Sequence, residues 1–181
     1  MLNNLTALLD SGAPAAVGDY ESIQTVTVGA GGASSVTFSS IPSTYKHLQI
    51  RVLARYTSAG NTQYPIRFNS DSGANYSDHN LRGNGASATA GADVSQSSMF
   101  VDRVPSTSET ASVFGGLIVD VLDYANTNKY KTIRTLGGYD NNGSGFISLC
   151  SGSWRSTAAV DTILFNIAVA QYSSFALYGV K

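Results

Sequence analysis

LQIRVLARY, from Leu48 to Tyr56, sets Leu48, Ile50, Val52, Ala54 and Tyr56 against Gln49, Arg51, Leu53 and Arg55. Successive side chains of an extended chain point to opposite faces, so this period of two describes a strand with one face in a core and the other mostly toward water or a neighbour. A central strand is expected here, with Ile50 and Val52 inward. Less regular runs of the same kind occur at Ser22 to Val28, Ser35 to Ile41, Tyr64 to Asn69, Ser98 to Val104, Val113 to Tyr124, Tyr130 to Gly138, Phe146 to Cys150, Asp161 to Ala170 and Ser173 to Val180. Between them lie Gly- and Asn-bearing breaks with turn chemistry, such as Gly29 to Gly32, Ser58 to Asn61, Asp71 to Gly73 and Asp140 to Gly143. Strands and turns repeated without a helical segment of ordinary length predict an all-β domain, an antiparallel β-sandwich of jelly-roll type.

Three segments stand apart from this rhythm. Gly83 to Ser98 is rich in Gly, Ala and Ser, which reads as a long surface loop or a strap. Val113 to Tyr124 is long for a strand and contains Gly115-Gly116, which predicts a bulge or a bend between sheets. Ser173 to Val180 carries Phe175, Leu177 and Gly179 on one face and Ala176, Tyr178 and Val180 on the other. Such a strand is expected to be covered on both sides, by the core and by either a neighbouring subunit or the Gly83 to Ser98 loop.

The N-terminal end reads differently. Leu2, Leu5, Leu8 and Leu9 fall near helical spacing in a peptide, Met1 to Asp10, too short to hold a helix by itself. Ser11 to Asp19 is small, Gly- and Pro-punctuated and nearly uncharged. Residues 1–19 are therefore expected to form an anchoring arm and tether, and 20–181 one sandwich domain, a size that buries a core without staples.

Of the 181 residues only 13% are charged, with a net charge of −1, so no field favours nucleic acid or an anionic membrane. No apolar run is long enough to span a bilayer. The single cysteine, Cys150, excludes an internal disulfide framework and reads as a small hydrophobe inside a strand.

The inventory for acid–base chemistry is thin. His47 opens the clearest strand, His79 lies in what reads as a polar turn, Tyr76 to Asn80, and neither has a second ligand at metal spacing. Asp71, Asp78 and Asp140-Asn141-Asn142 could offer oxygens to calcium, but as turn residues they need no ion. Asp120 and Asp123 lie near one strand end and Lys129, Lys131 and Arg134 begin the next, which predicts cross-strand ion pairs. Asp120 and Asp123 also fall on opposite faces of a strand, so they do not make the carboxylate pair of a glycosidase. No catalytic residue, metal ligand or cofactor is assigned.

The aromatics carry more. Trp154 and Arg155 sit in Ser151 to Ser156, a polar stretch after a strand, where a large ring fits core or rim packing, a subunit interface or a sugar contact. Tyr76, His79 and Tyr178 join them as candidate interface or glycan-contact residues.

The stretches SSIPSTYKHLQIR (Ser39 to Arg51), FNSDSGANYS (Phe68 to Ser77), DYANTNKYKTIR (Asp123 to Arg134), GGYDNNGSG (Gly137 to Gly145) and QYSSFALYGVK (Gln171 to Lys181) resemble a family of small β-rich virion proteins of tailed bacteriophages. That resemblance covers nearly the whole chain after Tyr20. It implies a non-enzymatic structural protein of the virion surface, with capsid decoration favoured. The leucine-bearing arm would bind the major capsid protein or another virion protein, and the sandwich would form a homotrimer or other homo-oligomer. The alternative is a short tail fibre or receptor-binding protein, with the loops Asp71 to Asn80 and Asp140 to Gly145 on host glycan.

Overall fold

The computed structural model describes residues 18–60 and 63–181, so Leu2, Leu5, Leu8 and Leu9 and most of the tether lie outside the described residues. Twelve strands follow in chain order: β1 (Tyr20–Thr27), β2 (Val36–Phe38), β3 (His47–Ala54), β4 (Gln63–Phe68), β5 (Tyr76–Gly83), β6 (Ala88–Gln96), β7 (Met99–Arg103), β8 (Gly115–Leu122), β9 (Lys131–Asp140), β10 (Gly145–Trp154), β11 (Ile163–Phe165) and β12 (Ser174–Val180). They form an eight-stranded sheet, β1-β12-β3-β8-β9-β10-β5-β6, and a four-stranded sheet, β2-β11-β4-β7. All pairings are antiparallel.

The order has a simple reading. Without the hairpins β5–β6 and β9–β10, two four-stranded sheets remain, β1-β12-β3-β8 and β2-β11-β4-β7, and the chain alternates between them in the winding of a jelly roll. The hairpins then add four strands beside β8, doubling one sheet's width. β7 of the small sheet packs against β9, β10 and β5, so the inner face of this extension is covered. Only β6, at the rim, is exposed along nearly its whole length.

The core lies between the sheets. On β3, Leu48, Ile50, Val52 and Ala54 are buried and Arg51 and Leu53 exposed, as the period of two predicts, and β12 and β8 flank the strand. Opposite it, Phe38, Phe68, Ile163 and Phe165 close the core from the small sheet, with the Phe165 and Phe175 rings 5.3 Å apart between the layers. Cys150 is buried within β10.

Several expectations change. Gly83 to Ser98 is not a loop or strap: most of it is β6, paired with β5 from Gly83↔Ala88 to Tyr76↔Gln96 with one bulge. Small residues suit an edge strand that buries little, which is why the composition resembled a loop. The stretch therefore sits at the opposite edge from β1 and does not cover the second face of β12. Gly115-Gly116 makes no bend or crossing, since β8 runs in unbroken register with β3 from Leu48↔Val121 to Ala54↔Gly115. Gly115 is there for clearance, because a Cβ would lie 2.9 Å from Pro105 and 3.2 Å from Val104. Asp161 to Ala170 yields only the three-residue β11, after which Val169 makes isolated bridges to Ala33 and Tyr56.

Candidate functional site

β10 extends to Trp154, so the polar stretch Ser151 to Ser153 belongs to a strand. Gly152 and Trp154 face inward from it. Trp154 is 2% exposed, lies between Tyr76 (6.4 Å, stacked) and Phe68 (5.6 Å), and donates its indole N–H to Asp71 at 2.7 Å. Tyr76 is fully buried, and its hydroxyl accepts from the Phe68 amide at 2.9 Å. Neither ring is open to a sugar or a subunit: of the roles weighed for Trp154, the structure places it in the core. Arg155 is exposed beside them and donates to the Ala74 carbonyl at 2.8 Å. His79 lies in β5, not in a turn. The Trp154 and Gly145 ends of β10 are about 30 Å apart at an antiparallel rise, so the Asp71 and Asp140 loops do not converge on one ligand.

The carboxylates serve as local pins. Burial would raise the Asp71 carboxyl, but hydrogen bonds from Trp154, Asn75 and the Gly73 amide outweigh it and leave the group below its ordinary range. Glu109 is likewise lowered, its burial offset by the Ser106 hydroxyl and amide, each at 2.6 Å. Burial and the neighbouring Glu109 push the Tyr139 hydroxyl up to about 12. Asp120 accepts from Arg134 and Gln49, both at 3.0 Å, the first a cross-strand pair as expected, whereas Asp123 pairs with Lys129 inside the turn between β8 and β9. Lys131 does not join them. It is fully buried and donates to the carbonyls of Asn126, Lys129 and Thr157. Among the described residues no three of His, Cys, Asp and Glu gather as a metal site.

The feature that collects exposed chemistry is the outer face of the eight-stranded sheet. Strand register arranges it in three parallel rows. The first is Leu53–Gly116–Gly138–Ile147–Gly83–Ala88, the second Arg51–Ile118–Leu136–Leu149–Leu81–Ala90, and the third Gln49–Asp120–Arg134–Ser151–His79–Ala92. Glycines dominate the first, aliphatic side chains the second and polar groups the third. Leu53, Leu81, Ile118, Leu136, Ile147 and Leu149 are each between 41% and 63% exposed. Tyr178 extends the third row at β12, opposite Gln49, where the Arg51 guanidinium lies 5.0 Å from its ring. Tyr178 and His79 thus share a face but are about 24 Å apart, five strand spacings.

The glycine row borders an open groove of about 680 Å³ whose outer-face lining includes Leu136 and Ile147. Gly138 is required there: its φ is 155° and an added Cβ would collide with the Phe146 carbonyl. The apolar row was missed in the sequence, although Leu117-Ile118-Val119 gave a signal. Adjacent aliphatics in one strand place one on each face.

No protein-family model, no curated protein and no solved structure matches this chain at a significant level.

Proposed function

We propose that this protein is a non-enzymatic structural component of a tailed-phage virion surface, a capsid decoration protein held through its N-terminal arm. The observation that carries the reading is the division of labour among its side chains. Asp71, Glu109, Asp120 and Asp123 are tied to neighbours that position loops and strands, whereas the widest exposed feature is a set of apolar and small-residue rows suited to contact. The jelly roll supplies a rigid body for such a role, and the resemblance of the segments after Tyr20 to virion proteins supplies the setting. Fold alone does not imply function.

Quantitative mass spectrometry of purified particles tests this. Decoration predicts hundreds of copies per virion and loss of binding when Met1 to Asp10 is deleted from an otherwise folded chain. A few to a few dozen copies at the tail would favour the fibre or receptor-binding alternative. Absence from particles overturns the reading, as would glycan cleavage abolished by one Asp substitution.

A further inference from the structure

We infer that the outer face of the eight-stranded sheet is where two copies of this chain meet, through a two-fold contact centred on β9. The virion reading leaves this face unassigned, and the contact does not depend on where the protein is mounted.

Area is the first argument. The six aliphatic side chains of the two rows together expose on the order of 550 Å², at the top of what a soluble monomer shows in one patch. With the surrounding Ala, Gly and Ser, the face approaches the roughly 800 Å² per partner of a standard stable interface.

Charge is the second. Charge in the polar row is balanced within each copy, where Arg134 lies 3.0 Å from Asp120, while Arg51, at the end of the apolar row, keeps its charge against the rings of Tyr178 (5.0 Å) and Tyr20 (5.7 Å). An axis along β9 brings Arg134 over its own equivalent, but each is paired with the Asp120 of its own chain, so the copies meet there as ion pairs rather than as bare like charges.

Shape is the third. Ile147, 63% exposed, stands between two cross-strand glycines, Gly138 and Gly83, so it projects as a knob. Two strands away is the hollow at Gly116, where an added Cβ meets nothing within 4 Å. A two-fold axis along β9 exchanges β8 with β10. It sets the Ile147 of each copy over the Gly116 of the other, Ile118 over Leu149, and Leu136 over its own equivalent. Knob and hollow thus lie on one surface at positions that the axis interchanges, as an isologous contact requires. Packed face to face, the sheets would stand about 10 Å apart with the apolar row between them.

Sedimentation velocity on the purified full chain at micromolar concentration tests this without any particle, so its failure and that of the virion reading are distinguishable. The expected mass is two chains. Leu149→Glu, which puts a charge in the apolar row, and Gly116→Phe, which fills the hollow from a position with open space, should each give single chains with an unchanged circular dichroism spectrum, and a melting temperature that no longer rises with protein concentration. Tyr172→Ser, in the turn before β12, should remain paired. A single-chain mass for the wild type, a three-chain mass, or pairing that survives both face substitutions overturns the inference.

Discussion

The indole N–H of Trp154 donates to the carboxylate of Asp71 at 2.7 Å, joining the last residue of β10 to the turn that leaves β4. The contact crosses from the wide sheet to the narrow one. Asp71 also accepts from Asn75 at 2.9 Å and the Gly73 amide at 2.8 Å, and its own carbonyl accepts from the Tyr76 hydroxyl at 3.2 Å. One carboxylate thus holds the turn in shape and fixes the ring that ends the inserted hairpin. Indole stacked on Tyr76 and capped by Asp71 leaves Trp154 no face to offer a ligand.

Asp71→Ala should cost about 1–3 kcal/mol, because it removes a charge-assisted bond and leaves a buried indole N–H without its acceptor. The carboxyl lies below its ordinary range when folded. Its stabilisation is therefore complete above the unfolded value near 3.8 and is lost as pH falls through the folded one. Trp154 is the single tryptophan, so fluorescence-detected urea unfolding follows this locally. Asp71→Asn keeps an acceptor for the indole and should flatten the acid dependence; an unchanged acid profile would count against the pin.

Asp78 has the opposite sign. It is 1% exposed on the inner face of β5, its Oδ2 accepts from the Phe100 amide at 3.3 Å, and its Oδ1 has no hydrogen-bond partner among the described residues. Burial raises its pKa, with Asp93 adding to the effect. A raised carboxyl favours folding most below its unfolded value, and that contribution is lost as pH rises through the folded one. Asp78→Asn keeps the Phe100 bond and has no charge to bury. Its melting temperature should exceed the wild type's at pH 7, and the gap should close toward pH 3.

How much of this was legible in the sequence differs by element. β3 was readable because it buries one face and obeys a period of two over its whole length, whereas β12 carries apolar residues on both faces and buries only Phe175, Leu177 and Gly179 of them fully. β6 was not, because Ala88 to Gln96 lies at an edge where neither face needs large apolar residues. Trp154 misled for a related reason: serines and a glycine precede it, and their strand is set by pairing with β5 and β9 rather than by their own side chains. The apolar rows depend on register across β3, β8, β9, β10 and β5, which no local pattern encodes. Leu2, Leu5, Leu8 and Leu9 lie outside the described residues.

Lys131 opens β9 with its ammonium enclosed by three carbonyls, from Asn126, Lys129 and Thr157, and so ties the β8–β9 turn to the loop after β10. Lys131→Met preserves length and packing while leaving those acceptors without their charged donor. A loss of about 2–4 kcal/mol is expected in denaturant unfolding, since buried acceptors are costly to leave unpaired. A loss comparable to that of an exposed lysine, such as Lys129→Met, would mean that water replaces the ammonium at little cost.

Gly116 and Gly138 face each other across β8 and β9, yet alanine should have opposite effects at the two. At Gly138 the backbone φ of 155° disfavours any side chain, and a Cβ would collide with the Phe146 carbonyl and lie 2.9 Å from the Ile147 Cα. Both obstacles are main chain in the paired strand, so they yield only if the β9–β10 hairpin shifts. Gly138→Ala should therefore destabilise by more than about 2 kcal/mol, the scale of local backbone strain. At Gly116 nothing lies within 4 Å and φ is not in the left-handed region. Gly116→Ala should be neutral or stabilise by about 0.4–1 kcal/mol, by restricting the unfolded chain. Paired thermal and urea unfolding of the two variants measures the contrast, and equal losses would show that the hollow beside Ile147 is not open. Both should be compared as single chains, in the background of Leu149→Glu, so that any change in association does not enter the stability difference.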